Sequence, residues 1–316
     1  MSGIAVVVVT RNRRDLLQAN LAALYAQTRS FDALYLINNA STDDTLAMLA
    51  EAGWTSRPGF NLITLEINSG GAGGFNTGMA TAYAHGYEWL WIMDDDCIPA
   101  PTALAALIDA YHAFPAAIAP WLLASRVDWS DNQLHPLNFV SVKNFNKEFL
   151  YTAPLYGCMS MRSATFVSLL VHRRAVSSHG LPNTIYFLWH DDVEWTARVL
   201  KEANGVLVPA SVVEHRTDKK VATLEAPPAR FYFHVRNALW TLLASNCYNR
   251  RERIFGFVLY ALSILMWLGR RWWIPKAWWT VITGLVRGAF PPLSKLDAKC
   301  RFKYVAGAAP EGGQDH

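Results

Sequence analysis

Apolar runs and polar segments alternate through the first hundred residues of the chain. Runs of apolar and β-branched residues predict four strands, at 4–9, 34–37, 62–67 and 89–93. The segments between these runs have helical spacing or a helix-capping residue, so they predict helices. Strands that alternate with helices predict an α/β fold, in which a Rossmann-like, mostly parallel sheet is flanked by helices.

The segments that follow the four predicted strands are polar. They begin at Thr10, Asn38, Asn68 and Asp94. In a parallel sheet the carboxyl ends of the strands meet at one edge, and ligands bind just outside that edge. We therefore expect these segments to form a single site, although they are far apart in the sequence.

The pattern is weaker after residue 99. The remaining predicted elements are a helix at 103–114, a mixed region with a candidate hairpin at 120–149, a strand at 155–161, a helix that ends near 203, and a strand at 206–209 before the segment VVEH at 212–215. The chain shows no internal repeat and no low-complexity segment.

Three consecutive carboxylates, Asp94, Asp95 and Asp96, end the fourth apolar run. Adjacent carboxylates repel one another unless a positive charge lies beside them, and Mg²⁺ or Mn²⁺ suits oxygen ligands. On an extended chain the side chains of Asp94 and Asp96 point to the same side, so both can bind one cation while Asp95 points elsewhere. A solvated helix cap is the alternative interpretation.

The segment NSGGAGGFNTG, at 68–78, is rich in glycine but does not match a dinucleotide fingerprint. Counted from Gly71 and Gly73, the third glycine of Gly-x-Gly-x-x-Gly is replaced by Asn76. This difference argues against a hydride-transferring enzyme. A glycine-rich segment at a helix start still lets backbone amides approach a phosphorylated or sugar ligand. A flexible turn is the alternative.

A second acidic group, WHDDVEW, precedes a predicted helix and contains Asp191 and Asp192. Adjacent carboxylates in a closed site titrate apart, which leaves one of them suited to act as a general base. Glu194 and Arg198 have the four-residue spacing of a helix-supporting ion pair. Farther along, His215 is either an ordinary partly buried histidine or an extra metal ligand.

Six motifs, in this order, resemble the inverting glycosyltransferases of family two, which have the GT-A fold. They are VVVVTRNR, NNASTDDT, NSGGAGGFNTG, WIMDDDCIP, WHDDVEWTAR and VVEHR, and they lie within residues 4–216. The triple aspartate, the glycine-rich segment and the second acidic group are most similar to those of galactofuranosyltransferases and their rhamnosyltransferase relatives. The resemblance implies transfer of a sugar from a nucleotide-sugar donor with inversion at the anomeric carbon.

The resemblance also implies roles for individual residues. Those that would bind Mn²⁺ or Mg²⁺ are Asp94, Asp96 and His215. Asp192 matches the catalytic base, with Asp191 beside it. The residues that would hold the nucleotide sugar are Thr10, Arg11, Asn38, Asp43, Gly73, Gly74, Asn76 and Asp95. Those that would face the acceptor are Trp189, His190 and Glu194.

Asn38 departs from the family pattern, because many relatives have an aspartate here that accepts a hydrogen bond from the pyrimidine ring. The resemblance implies UDP-galactofuranose as the expected sugar donor, with dTDP-rhamnose as the alternative. In another class, a non-catalytic sugar-nucleotide-binding membrane scaffold would not need a base and a metal shell together. A nucleotidyltransferase would need a separate triphosphate-binding loop, and none is evident in the sequence.

Charge is distributed unevenly along the chain, whose formal total is +4. Residues 230–303 contain 13 Lys and Arg against Glu252 and Asp297, a net of +11, which leaves −7 for the rest. This distribution predicts an acidic catalytic domain at 1–229, a basic, Trp-rich helical region at 230–303 and a flexible tail at 304–316.

The basic region contains 16 uncharged residues, at 254–269, between two groups of arginines. A membrane-spanning helix needs about 20 apolar residues, so this run is short. The nearby tryptophans and basic residues are typical of helices that lie in the headgroup region of an anionic membrane. We therefore expect a peripheral membrane helix that brings the site to a lipid-linked glycan acceptor.

Three alternatives for the uncharged run stay open: a buried helical hairpin, an interface in a homo-oligomer, and a true membrane span. Nucleic acid is not expected as a partner, because long apolar runs interrupt the basic residues. The four cysteines are widely separated and indicate a reducing compartment. Because the first apolar run precedes the first arginines, it is unlike a signal peptide. We expect the cytoplasmic face of the inner (plasma) membrane.

Overall fold

Strands and helices alternate through most of the chain. The computed structural model describes residues 3–135, 138, 140–142, 146–217 and 222–292. The strands in these residues are β1 Ile4–Thr10, β2 Ala33–Asn38, β3 Phe60–Thr64, β4 Trp89–Asp94, β5 Cys97–Pro99, β6 Leu122–Asp128, β7 Ser141–Val142, β8 Met159–Ser163, β9 Leu169–His172 and β10 Gly205–His215. The α-helices are α1 Arg14–Tyr25, α2 Thr45–Glu51, α3 Gly70–Ala84, α4 Ala103–Ala113, α5 Lys147–Thr152, α6 Arg173–His179, α7 Asp191–Leu200, α8 Ala222–Glu225, α9 Pro228–Leu243, α10 Arg250–Gly269 and α11 Pro275–Ala289.

The strands form one mixed sheet in the order β3-β2-β1-β4-β9-β6-β10-β8-β7, and β5 pairs with β10. Its first four strands are parallel to one another, as the N-terminal pattern predicts. The predicted α/β fold, with a mixed and largely parallel sheet between helices, is therefore confirmed. Beyond β4 the sheet gains antiparallel pairs, because β9 runs against both β4 and β6.

β1 shows why these strands are apolar at every position. Ile4, Val6 and Val8 pack into the core under α1, α2 and α4. The alternate residues, which include Val7 and Val9, pack into the core under α3, α6 and α7. Successive side chains of a strand point to opposite faces, so a strand covered on both sides must be apolar throughout.

Two predicted strands differ from those in the structure. Residues 155–158 are not part of a strand, because Gly157 has a φ of +69° and follows a 3₁₀ turn; the strand begins later, at Met159. The segments at 206–209 and 212–215 are one strand, β10, with a register shift between Val208 and Val212. The candidate hairpin in 120–149 lies partly outside the described residues.

The glycine-rich segment belongs mainly to a helix rather than to a loop. The helix α3 begins at Gly70, and two of its glycines, Gly74 and Gly78, face the sheet. A Cβ atom on Gly78 would lie 2.3 Å from Cγ1 of Val7, and one on Gly74 would lie 2.5 Å from Cγ1 of Val9. Gly74 and Gly78 therefore allow the helix to approach β1 closely, a packing function that differs from the predicted flexible turn or ligand contact.

The C-terminal helices form a third core around Phe231, Trp267 and Val281. The guanidinium of Arg162 on β8 ties this core to the sheet, because its Nε donates to Glu252 of α10 over 2.7 Å. The predicted domain boundary at 229 falls at the start of α9, and the division itself stays a prediction. The predicted flexible tail at 304–316 lies outside the described residues.

Large apolar side chains cover the outer face of α10 and α11. Those more than one third exposed on the two helices and the turn between them are Ile254, Phe255, Val258, Leu259, Leu262, Leu265, Met266, Trp272, Trp273, Trp278, Trp279, Ile282, Leu285 and Val286. We call them the apolar face. Within the described chain, α10 is the helix long and apolar enough to cross a membrane, and 22% of its apolar window is buried. A fully buried hairpin is therefore wrong for this monomer.

The packing of α3 on β1 predicts opposite effects for two glycine substitutions. Gly78→Ala should lower the free energy of unfolding by about 1–3 kcal/mol, because the new methyl group overlaps Val7. Gly71→Ala is the matched control in the same helix: no atom lies within 4 Å of its Cβ position. It should raise stability by about 0.5–1 kcal/mol through lower chain entropy. Urea unfolding curves measure both, and equal effects would contradict this account of the packing.

Candidate active site

Three predicted site residues lie at the same edge of the sheet. Thr10 ends β1 and is paired in register with Asn38, which ends β2, while Asp94 of β4 is paired with Val9. These strands are parallel and neighbouring, so their carboxyl ends coincide. The predicted convergence of the polar segments is confirmed for these three strands.

The chain turns at Asp95 and Asp96 instead of continuing as an extended strand. The prediction that Asp94 and Asp96 share a side through strand alternation is therefore wrong in its geometry. Asp95 is buried and accepts a hydrogen bond from Thr10 Oγ1 over 2.7 Å and one from the amide of Arg11 over 3.3 Å. Burial raises the pKa of Asp95 to about 7, although Arg13 opposes this shift.

The turn leads into β5, which brings His215 to the acidic cluster. Cys97 of β5 is paired with His215 of β10, and His215 Nε2 lies 3.2 Å from Asp96 Oδ1. The guanidinium of Arg13 contacts the other oxygen of Asp96. Burial by itself would raise the pKa of Asp96, but His215 and Arg13 together hold that pKa below its usual value.

The donor atoms around Asp96 fit a divalent cation. Asn138 donates from Nδ2 to Thr165, so its Oδ1 accepts a hydrogen bond from Nδ1 of His215 over 3.0 Å. When the imidazole of His215 is neutral, its proton is on Nδ1 and Nε2 is unprotonated. Nε2 and the Asp96 oxygen that it faces are then both acceptors, so a cation or a proton must lie between them. Carboxylate oxygen and imidazole nitrogen are ligands that suit Mn²⁺, and Mg²⁺ takes the oxygens.

Cys97 lies beside the same donors but does not suit this cation. Its Sγ is within 4.8 Å of the ligand atoms of Asp96 and His215. The side chain is fully buried, and burial raises the pKa of the thiol well above its usual value. A protonated thiol is a poor ligand, since metals bind the thiolate.

The second acidic group lies close to the first. Burial, followed by the charges of Asp96 and Asp95, raises the pKa of Asp94 well above its usual value, and Asp191 contributes in the same direction. Asp191 and Asp192 begin α7, and Asp191 is buried. The structure thus joins two acidic motifs that are almost one hundred positions apart in the sequence.

The two adjacent carboxylates of α7 titrate apart, as their burial predicts. Burial and the charge of Asp192 raise the pKa of Asp191 well above its usual value. Burial also raises the pKa of Asp192, to about 6, while the backbone amide of Val193 donates to its Oδ1 over 2.7 Å and limits the rise. Asp192 is the more exposed of the pair. A carboxylate with these properties can accept a proton near neutral pH.

The loop before α7, residues 186–190, has unusual backbone angles. Phe187 has φ +64° and ψ −58°, and the amide of Leu188 donates to the carbonyl of Tyr186 over 2.7 Å. These features define a γ-turn of the rare, strained type. Trp189 and His190 also have positive φ angles. Such residues cost about 1–3 kcal/mol each and cluster at functional sites.

The three residues predicted to face the acceptor have different surroundings. Trp189 and His190 are partly exposed on the loop beside Asp191. Glu194 is 1% exposed and accepts hydrogen bonds from Arg198 over 2.9 Å and from Ser245 over 2.8 Å. The acceptor role is therefore wrong for Glu194 in this structure. Its alternative, the helix-supporting ion pair, is the arrangement observed.

The residues predicted to hold the nucleotide lie around the ends of β1 and β2. Asn38 is 1% exposed; its Oδ1 accepts a hydrogen bond from Ser41, and its buried Nδ2 has no partner among the described residues. Asp43 accepts hydrogen bonds from the amide and hydroxyl of Thr45. Arg11 is exposed. The nucleotide roles of these residues stay predictions.

Gly73, Gly74 and Asn76 all lie inside α3. A Cβ atom on Gly73 would lie 2.4 Å from the side chain of Ser69, so this glycine permits the tight start of the helix. Asn76 donates to the carbonyl of Pro182 over 2.7 Å. These contacts give all three residues a packing function, and their contact with a donor stays a prediction.

Several residues around the site were not identified from the sequence. Arg13 offsets part of the charge of the first acidic group, and its place in the TRNR motif beside Thr10 and Arg11 was the sequence signal for it. Asn39 fixes the start of α3: its Nδ2 donates to the carbonyl of Gly70, and its Oδ1 accepts from the amide of Ser69. His234 and Asn237, both on α9, hold the loop 186–190. No local pattern marks residues that become neighbours only through the fold.

Comparison with known proteins agrees with this architecture. The family model for glycosyl transferase family 2 matches residues 5–170. Galactofuranosyltransferase GlfT1 of Mycolicibacterium smegmatis is 36% identical over 111 residues, which cover 34% of this chain and 35% of that protein. GlfT1 of Mycobacterium tuberculosis is 28% identical over 197 residues, or 62% of this chain and 64% of that protein. The chain thus spans less than two thirds of the length of these relatives.

Solved structures show the same fold at low identity. S. aureus TarS 1–349 in complex with UDP has a TM-score of 0.56 and 15% identity, with 83% of this chain and 72% of that chain covered. Another structure of TarS 1–349 has a TM-score of 0.58 and 14% identity, with 93% and 83% covered. The family match covers more than half of the chain and includes β1, β4 and the triple aspartate. The chain is a glycosyltransferase with the GT-A fold and belongs to glycosyl transferase family 2.

Proposed function

We propose that the protein is a metal-dependent, inverting glycosyltransferase that moves galactofuranose from UDP-galactofuranose to a lipid-linked glycan in cell-surface polysaccharide synthesis. The observation that carries this proposal is the meeting of two acidic groups at one edge of the sheet. One group has the donor atoms for a cation, Asp96 and His215. The other contains Asp192, a carboxylate with a pKa of about 6.

The division of roles follows from the surroundings of each acid. Asp192 accepts the proton of the acceptor hydroxyl as that oxygen attacks the anomeric carbon. Attack from the side opposite the nucleoside diphosphate inverts this carbon. Burial and the charge of Asp192 raise the pKa of Asp191 well above its usual value, so a second negative charge beside the base is disfavoured.

Asp94, Asp96 and His215 would hold the cation. The chemistry that Mn²⁺ or Mg²⁺ would supply there is positive charge beside the departing diphosphate. Without a cation, Arg13 is the positive group nearest to Asp95 and Asp96, at 3.8 Å from Asp95 Oδ1. The positive charge of Arg13 therefore offsets part of the negative charge of the acidic turn.

Two similarities support a uridine nucleotide and galactofuranose. The matched relatives carry the name galactofuranosyltransferase, and structures of S. aureus TarS with UDP and with UDP-GlcNAc share the fold. The unpartnered Nδ2 of Asn38 offers this chain a buried hydrogen-bond donor near the ends of β1 and β2. Many relatives have an aspartate at this position, which accepts a hydrogen bond instead. The choice of nucleotide sugar must therefore be tested with dTDP-rhamnose as well as UDP-galactofuranose.

The apolar face supports a peripheral position on the cytoplasmic side of an anionic membrane. Trp272 and Trp279 are each 67% exposed, and arginines flank the face at Arg250, Arg251 and Arg270. Apolar side chains bordered by basic ones match a lipid surface with negative headgroups. The opposite side of α10 packs on α9, so the helix lies beside the catalytic body, close to where a lipid-linked acceptor would be.

Donor turnover tests the enzyme assignment. Purified protein should release nucleoside diphosphate from UDP-galactofuranose in the presence of Mn²⁺ and a membrane lipid extract. UDP-galactopyranose, UDP-glucose and dTDP-rhamnose complete the panel. Asp192→Asn should lower turnover by about 10²–10⁴-fold, the usual contribution of a general base, while donor affinity by calorimetry stays nearly unchanged. Asp109→Asn, an exposed change on α4, is the control.

Two results of that experiment would contradict the proposal. Loss of donor binding in Asp192→Asn would show that this carboxylate holds the donor rather than the acceptor proton. Binding without turnover across the panel would favour the non-catalytic scaffold, and absence of both turnover and binding would favour a nucleotide outside the panel.

The pKa of Asp192 predicts an acid limit to activity. The carboxylate must be unprotonated to act as a base, and its pKa is about 6. The value of kcat/KM should therefore be constant above this pH and fall about tenfold for each further pH unit below it. The residual rate of Asp192→Asn should not show this limb. A wild-type profile that stays flat down to pH 4 would exclude Asp192 as the base.

Vesicle sedimentation tests the membrane surface. The protein should bind vesicles that contain phosphatidylglycerol more strongly than vesicles of phosphatidylcholine, and salt should weaken binding because it screens the arginines. Replacing Trp272, Trp273 and Trp279 by Ser should reduce binding. Leu155→Ser, which removes an equally exposed apolar side chain elsewhere, is the control. A stable dimer that does not bind vesicles would instead assign the apolar face to self-association.

A further inference from the structure

The loop 186–190, which leads directly into Asp191 and Asp192, is covered by one side of α9. Phe233 stacks on Phe187 with ring centroids 5.2 Å apart. One turn further, Arg236 donates to the carbonyls of Ile185 and Tyr186. The C-terminal helices therefore make extensive contacts with the segment that carries the proposed base.

Asn237 makes the most specific of these contacts. Its side chain is fully buried, and Nδ2 lies 2.9 Å from the carbonyl of Tyr186, 2.8 Å from that of Leu188 and 2.9 Å from that of Trp189. Oδ1 accepts a hydrogen bond from Arg236, which fixes the orientation of the amide. The two hydrogens of one buried amide are thus shared among three carbonyls of a loop that has no regular backbone pairing.

A chain of side-chain hydrogen bonds joins the same loop to α10. Ser263 donates its hydroxyl proton to the carbonyl of Tyr260 over 2.7 Å, so its oxygen must accept the bond from His234 Nε2 over 2.9 Å. Burial lowers the pKa of His234 to about 4 and that of His190 to about 3, so both are neutral at physiological pH. Nδ1 of His234 therefore accepts a bond from His190 Nε2 over 3.1 Å.

The conformation held by these contacts is one that the loop would not keep alone. Phe187, Trp189 and His190 have positive φ angles, and the carbonyl of Phe187 accepts a hydrogen bond from the amide of Ala72 at the start of α3. A Cβ atom on Gly70 would lie 1.9 Å from that carbonyl oxygen. Strained backbone of this kind persists only when the surroundings over-determine it.

We propose that Asn237 and the pair His234–Ser263 are positioning residues, through which α9 and α10 hold the loop 186–190 and thereby set the direction of Asp192. This inference rests on the proposed function, in which Asp192 is the base. The C-terminal helices then have two faces with separate tasks. The outer, apolar face contacts lipid, while the inner face holds the base that acts on a lipid-linked acceptor.

Two substitutions test the positioning role. Asn237→Leu keeps the size of the side chain but removes the NH2 group that contacts the three carbonyls. Ser263→Ala removes only the acceptor that fixes the His234 tautomer. Val235→Ala is the matched control, because it creates a cavity in the same helix and core without touching the loop. Ser263→Thr is the rescue variant, because it retains a hydroxyl.

The measurements are kcat and donor KM, melting temperature, and amide hydrogen exchange of the peptide that spans 184–196. In Asn237→Leu we expect kcat to fall by about 10–100-fold with little change in donor KM, because misplaced catalytic groups act on the chemical step. Exchange in the peptide should rise. Ser263→Ala should show a smaller loss of the same kind, and Ser263→Thr should recover wild-type behaviour.

The outcomes separate positioning from general stability. The proposal would be overturned if kcat in Asn237→Leu falls only in proportion to melting temperature, as expected for Val235→Ala. Unchanged hydrogen exchange at 184–196 in Asn237→Leu would also overturn it. If the wild-type protein transfers no sugar, the proposed function fails. Hydrogen exchange still reports in that case whether Asn237 and Ser263 hold the loop.

Discussion

Burial of carboxylates at one edge of the sheet is the constraint on which the rest of this structure depends. Asp95, Asp96 and Asp191 are buried, and burial together with neighbouring carboxylates raises the pKa values of Asp94, Asp95 and Asp191. Such an arrangement costs free energy in the folded state unless positive charge compensates. Arg13 and His215 compensate only part of it, and a cation with the donor diphosphate would complete the balance. The carboxylates that carry the proposed chemistry are therefore held in the folded state at a cost in free energy.

The strands and helices around the acidic cluster are closely packed. This packing keeps the carboxylates together despite the free-energy cost of their burial and repulsion. β1 and β4 are buried on both faces, and α3 packs on β1 through glycines that leave no space for a side chain. Asn39 fixes the start of α3, and β5 pairs with β10 to place His215. Each contact limits movement of one strand end relative to the next, so the carboxylates cannot separate to relieve their repulsion.

The C-terminal helices connect the site to the outside of the molecule. Their inner sides pack around Phe231 and Trp267, contact the loop 186–190 and are tied to the sheet by Arg162. Their outer side is apolar and exposed. The helices that carry the apolar face also hold the loop before Asp192. If Asp192 is the base, its position therefore depends on the same helices that would contact a membrane surface.

The sequence by itself determined the parallel half of the sheet, the meeting of the loops after β1, β2 and β4, and the second acidic group, because strand burial and strand-end polarity are local patterns. Tertiary structure alone decided the turn at Asp95, the burial of Glu194 and the packing function of the glycines in α3. It also decided the contacts of Asn237 and His234 with the loop before Asp191. These features depend on contacts between side chains and backbone groups that are far apart in the sequence. Neither periodicity nor motif spacing predicts which of these groups will be in contact.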